Sequence, residues 1–213
     1  MQKILIISFV LISFFSLFST ASKTFNIEEP QLKSIENKYG TQARIRVEEW
    51  DAMLESSKDE TILNKIKNVN DFFNKITYKS DLSVWGTKDY WATPFEFMGI
   101  GAGDCEDYAI AKYFSLIKLG ISDEKLRITY VSYKKANSKF EQAHMVLTYY
   151  HKVGVEPVIL DNINKTLQVA SKRSDLVPVY SFNASGLWQA KTKGEARVGN
   201  NELKSWKDLM SRF

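Results

Sequence analysis

Between residues 60 and 76 the apolar positions recur with a helical period. Ile62, Ile66, Val69, Phe73 and Ile76 form one stripe, with Lys65, Lys67, Asn70 and Asn74 between them. The spacing predicts a helix over 60–76, capped by Asp59. A second helix is predicted over 41–55, with Ile45, Trp50, Met53 and Leu54 turned inward. An aromatic loop holding Trp85, Tyr90 and Trp91 follows. Thr93-Pro94-Phe95-Glu96 reads as a helix start: threonine caps, proline takes the first helical position, and Glu96 completes a capping box. Gly99, Gly101 and Gly103 then interrupt the chain, and a further helix runs from Asp104 to Leu119 with Gly120 as its stop.

After Gly120 the period changes to two. Residues 125–133 alternate as a strand does, and 142–150 and 156–161 predict two more. Their connections, 134–141 and 151–155, are short enough for antiparallel neighbours. Residues 177–182 and 186–190 predict another hairpin across Asn183-Ala184-Ser185. A closing helix is predicted over 201–212, with Leu203, Trp206, Leu209 and Met210 on one face. Helices first and strands later predict an α+β domain, its helical N-terminal part packed on an antiparallel sheet.

The start of the chain follows a different logic. A cationic Met1-Gln2-Lys3, an apolar run from Ile4 to Phe18 and the small residues Ser19-Thr20-Ala21 make the pattern of a secretory signal peptide. We therefore expect a signal peptide over 1–21, a domain over 22–213 and no membrane span after cleavage. The composition, 44% hydrophobic and 25% charged, excludes a disordered chain, a collagen and a coiled-coil rod. A formal charge of +4 is too small an excess to argue for nucleic acid. A single cysteine, Cys105, excludes an intrachain disulfide framework. In an exported chain a lone thiol has a partner chain, a chemical use, or a buried and inert place in the core.

The surroundings of Cys105 favour a use. The glycines before it do not make a phosphate loop, because no lysine with Ser/Thr follows and no strand leads into a GxGxxG. With Asp104 at the N-cap, Cys105 is the first helical residue, where unpaired N–H groups and the helix dipole favour an anion. Asp104, Glu106 and Asp107 oppose a thiolate, yet a helical wheel places the three carboxylates on one arc and the thiol on the other. Such an oxygen cluster suits a hard cation such as calcium. Acidic residues in a first turn also stabilise the dipole with no metal, and the residues alone leave both readings open.

Two histidines are available as a base. His144 lies inside the strand over 142–150, whereas His151 sits at its end. A histidine within an apolar strand needs a polar partner. Asp161 ends the next strand, and an antiparallel hairpin brings residue 144 opposite about Asn162, beside Asp161. Cys105, His144 and Asp161 are thus candidates for nucleophile, base and orienter. The Cys105 N–H is a candidate oxyanion donor, with an indole N–H of Trp85 or Trp91 as a second and Asn162 as polar support.

Gly103-Asp104-Cys105-Glu106-Asp107-Tyr108-Ala109, the strand carrying Ala143-His144-Met145-Val146-Leu147, and Leu160-Asp161-Asn162 resemble the bacterial transglutaminase-like cysteine peptidases of LapG type. Trp85, the Asp89–Glu96 segment and Pro178–Asn183 add to the likeness, which spans the chain from about residue 40 onward. The resemblance implies a papain-like, transglutaminase-like α+β fold and a periplasmic endopeptidase with its triad at Cys105, His144 and Asp161. It implies a need for calcium, with matching motif residues Asp104, Glu106 and Asp107. The implied substrate is a large surface adhesin cut at a di-alanine site near its N-terminus, which releases it and disperses biofilm. The implied regulator is an inner-membrane cyclic di-GMP receptor that sequesters the protease through its periplasmic domain. The polar 134–140 segment reads as a local insertion near the cleft rim. Two rival readings remain from sequence: a protein-crosslinking transglutaminase, and an inactive calcium-binding adaptor that docks a receptor through Trp91, Phe95 and Phe97.

Overall fold

The computed structural model describes residues 25–136, 138, 140–152, 154–190 and 195–213; the expected signal peptide over 1–21 and parts of the 134–140 segment lie outside the described residues. The helical half comes first: α1 (Glu29–Tyr39), α2 (Thr41–Ser57), α3 (Ile62–Phe73), a short strand β1 (Thr77–Tyr78), α4 (Asp81–Trp85), α5 (Pro94–Ile100), a second short strand β2 (Ala102–Gly103) and α6 (Cys105–Lys118). The strands then follow: β3 (Leu126–Lys134), β4 (Glu141–Tyr149), β5 (Val158–Leu160), β6 (Gln168–Val169), β7 (Leu176–Phe182), β8 (Leu187–Ala190) and β9 (Glu195–Gly199), before α7 (Lys204–Arg212) closes the chain. This is the expected α+β arrangement of helices on an antiparallel sheet.

Local signals explain most element ends. The Thr93 hydroxyl accepts the Glu96 N–H at 3.2 Å and the Glu96 carboxylate accepts the Thr93 N–H at 2.9 Å, so the capping box forms as read. The helix over 60–76 is shorter than expected. Thr61 rather than Asp59 caps it, accepting the Asn64 N–H at 3.3 Å, and Ile76 lies beyond its end. Asn183 builds the β7–β8 turn by accepting the N–H groups of Ser185 and Gly186 at 3.0 and 2.9 Å.

Among the described residues seven strands form one sheet in the order β6-β5-β4-β3-β7-β8-β9. All neighbours in it are antiparallel, and Val131 stands opposite His144. Leu147 pairs with Leu160, one residue away from the expected β4–β5 register. The sheet is covered on one face by α6, whose residues from Glu106 to Ile117 are all buried. On the other face Val131, Val146, Ile159 and Leu176 make a smaller apolar cluster. His144 to Tyr149 are therefore buried without alternation. The short parallel pair β1–β2 ties the segment before α4 to the segment before α6, with Tyr78 opposite Gly103.

Candidate active site

The N-terminus of α6 meets β4 at the mouth of a cleft of about 880 Å³ lined by Cys105, Ala143, His144 and Met145 among others. Cys105 opens the helix as expected, with Asp104 at the N-cap. The Asp107 carboxylate accepts the Asp104 N–H at 3.2 Å, which fixes the first turn. The Met145 N–H is directed at the Cys105 sulfur, so the strand bearing His144 runs directly past the thiol.

His144 and Asp161 are 2% and 1% exposed. The imidazole Nε2 lies 2.8 Å from Asp161 Oδ1. That nitrogen is committed to the carboxylate, which leaves Nδ1 as the ring atom open to other chemistry. Asp161 Oδ1 also accepts the Ile163 N–H at 2.9 Å. Burial alone would raise the Asp161 carboxyl, but the bonds from His144, Ile163 and Arg173 outweigh it and hold the group below the usual carboxylate range.

Sequence reasoning missed two basic residues here. Arg173 is 2% exposed, and its Nη2 lies 2.7 Å from Asp161 Oδ2. Lys112 is buried on α6 two turns below Cys105. It donates to Asn70 Oδ1 at 2.9 Å, Asn74 Oδ1 at 2.8 Å and the Asp161 carbonyl at 3.2 Å. Burial pulls Lys112 down from its usual value to about 7.

The acidic residues around the thiol sit otherwise than the helical wheel suggested. The Cys105 sulfur lies 3.1 Å from Glu106 Oε2. A wheel fixes only where the Cα–Cβ bond points, and the longer glutamate side chain folds back to the sulfur. Asp104 and Asp107 come together instead with Asp81, their ligand oxygens all within 4.8 Å of one another. A second group joins Asp104, Cys105 and Glu106, so Asp104 is shared. Asp81 lies 23 residues upstream, and no local spacing links it to the cluster.

These carboxylates crowd one another. Burial, then the neighbouring Asp104, raises Glu106 to about 9, and burial raises Asp81 to about 6. Asp107 is pushed well above its usual range, chiefly by burial. The thiol is pushed up as well, by burial first and then by the negative charge of Glu106 and Asp104. Asp81 Oδ1 and Asp104 Oδ1 are buried with no hydrogen-bond partner among the described residues. Unpartnered carboxylate oxygens in such a group are the donor set a hard dication prefers, so the residues fit calcium.

The remaining expectations divide. Trp91 Nε1 is already donated to Asp89 Oδ1 at 3.0 Å, which removes it as a free oxyanion donor. Trp85 Nε1 is buried without a partner among the described residues, away from the cleft lining. Asn162 lines the cleft. Trp91 and Phe97 are buried, so an aromatic docking face built with Phe95 is not present at the surface. Among the described residues no helix is long and apolar enough to cross a membrane.

The chain matches, over residues 40–193, the family described as bacterial transglutaminase-like cysteine proteinase, BTLCP. It is similar to solved structures of LapG from Legionella pneumophila. The EGTA-treated form is 40% identical with a TM-score of 0.75, and the match covers 87% of this chain and 97% of that one. The calcium-bound form is 41% identical with a TM-score of 0.74, covering 87% and 99%. No curated protein matches the chain.

Proposed function

Because the chain belongs to the bacterial transglutaminase-like cysteine proteinases, we propose that it is a LapG-type, calcium-dependent endopeptidase, exported to the periplasm, in which Cys105, His144 and Asp161 form the catalytic triad. One observation carries this reading. His144 lines the same cleft as Cys105, and its Nε2 is held 2.8 Å from Asp161 Oδ1, which leaves Nδ1 as the ring nitrogen to serve the thiol.

In this mechanism His144 takes the proton of Cys105 and the sulfur attacks the scissile carbonyl. The oxyanion that develops meets the Cys105 N–H, which has no intrahelical acceptor at the first position of α6. His144 then protonates the leaving amine, and water takes the same route to release the acyl group. Asp161 keeps the imidazole in one tautomer and balances the imidazolium. The cleft walls suit an extended peptide with small side chains. Tyr130 and Tyr180, stacked at 5.1 Å, line it together with the exposed Tyr78 and Leu82.

Asp81, Asp104 and Asp107, with Glu106 beside them, would hold calcium. The ion would supply the positive charge that the crowded carboxylates lack and so favour the thiolate next to them. The similar LapG structures include a calcium-bound form, which supports the assignment. The substrate we propose is the N-terminal region of a large surface adhesin, cut at an alanine pair so that the adhesin is released and biofilm disperses. The regulator we propose is the periplasmic domain of an inner-membrane cyclic di-GMP receptor.

Incubation with a recombinant adhesin N-terminal fragment tests the reading. Cys105→Ala and His144→Ala should each lower cleavage by about 10³-fold or more. A chelator should stop the wild type, and added calcium should restore it. Full cleavage by either variant contradicts the triad, and unchanged activity after exhaustive chelation removes the metal.

A further inference from the structure

Asp161 is gripped from two sides, and only one side belongs to the triad. Oδ1 faces His144 and the Ile163 N–H, whereas Oδ2 faces Arg173 Nη2 at 2.7 Å and the Asn164 N–H at 3.4 Å. The guanidinium is itself clamped. Its Nε and Nη2 bind the Asp175 carboxylate at 2.9 and 2.8 Å, a two-point contact that fixes its plane. Arg173 thus lies between two carboxylates, its side chain 1% exposed.

The chemistry of the triad explains why such a group belongs there. While His144 is cationic it compensates the Asp161 charge. Once His144 gives its proton to the leaving amine, a buried carboxylate would stand without a cation beside it, which is costly. Arg173 remains charged throughout and supplies that cation in both states of the imidazole. Its rigid fork, seated on Asp175, also prevents Asp161 from rotating Oδ1 away from Nε2.

We infer that Arg173, anchored by Asp175, is a positioning residue that keeps Asp161 ionised and aimed at His144 through the whole catalytic cycle. The inference rests on the proposed role of Asp161 as orienter. Lysine at the same place retains the charge but not the fork, and glutamine retains neither.

Steady-state cleavage of the adhesin fragment by Arg173→Gln, Arg173→Lys, Asp175→Asn and Asp161→Asn tests it, each variant checked for folding by circular dichroism. Arg173→Gln should lower kcat by about tenfold or more with KM within about twofold. Arg173→Lys should recover a good part of kcat, and Asp175→Asn should show the same loss in weaker form. In the Asp161→Asn background Arg173→Gln should cost less than about twofold, because its effect runs through that carboxylate. Alkylation of Cys105 by iodoacetamide at about pH 6 gives a substrate-free readout and should slow in the same order.

Wild-type kcat and alkylation in folded Arg173→Gln overturn the inference, as does an equal loss in the Asp161→Asn background. If Arg173→Gln does not fold, wild-type kcat in both Arg173→Lys and Asp175→Asn overturns it. Full activity in Asp161→Asn overturns the triad and this inference together. A large loss there, with none in the Arg173 and Asp175 variants, overturns this inference alone.

Discussion

At Gly103 an added Cβ would lie 2.2 Å from Asp107 Oδ2 and 2.8 Å from the Phe97 ring. The first figure is far inside contact distance, and Asp107 cannot yield freely because its Oδ1 accepts the Ala92 N–H at 2.9 Å. Gly103→Ala should therefore cost about 1–3 kcal/mol of stability, measured by urea unfolding, through displacement of the carboxylate that fixes the first turn of α6. A change within about 0.5 kcal/mol would show that the turn has room to relax. At this scale legibility depended on abundance. One cysteine and two histidines left few candidates, and the structure brings Cys105 and His144 to one cleft and sets His144 against Asp161. Arg173, Lys112 and Asp81 did not, because basic and acidic residues are common along the chain and only tertiary packing buries these three.

Lys112 joins three elements: α6, which bears it; α3, which ends at the asparagines it binds; and the end of β5, whose following carbonyl it also binds. Asn74 adds a bond of its own to the Asp161 carbonyl at 2.9 Å. The helix that opens with Cys105 therefore also holds the strand end that carries Asp161. Because Lys112 falls to about 7 in the fold, against an ordinary value near 10.5, the unfolded chain binds more protons between those two pH values. Its contribution must then grow more favourable as pH rises from about 7 toward 10.5, by at most about 1.4 kcal/mol per pH unit. Unfolding free energies of wild type minus Lys112→Met, taken from about pH 7 to 9.5, should climb accordingly. Parallel curves for the two proteins would contradict the depressed lysine. Asn70 and Asn74 fall between the apolar positions of the sequence stripe, and their burial follows from the acceptors that Lys112 requires. The two-residue strands β1, β2 and β6 are too short to carry a period, and no sequence pattern announced them.

Across the whole molecule the layers have separate duties. The helical half delivers a thiol at a helix start, and the sheet delivers an imidazole already bound to its acid. The C-terminal helix completes the frame: Arg212 donates to the Trp91 carbonyl at 2.6 Å, tying α7 to the segment before α5. The order of periods, helical and then alternating, was enough to read this architecture in advance. The burial of β4 on both faces was not, because it depends on a second apolar cluster assembled from β3, β4, β5 and β7. Burial and neighbouring carboxylates by themselves suppress the thiolate, so a reactive sulfur at neutral pH needs His144 beside it. The rate of Cys105 alkylation by iodoacetamide, followed from about pH 5 to 10 in calcium for wild type and His144→Ala, measures that dependence directly. The wild type should react readily at about pH 6, well below the ordinary thiol value near 8.5, and His144→Ala should lose this reactivity and react only in alkaline solution. Superimposable profiles for the two proteins would contradict it.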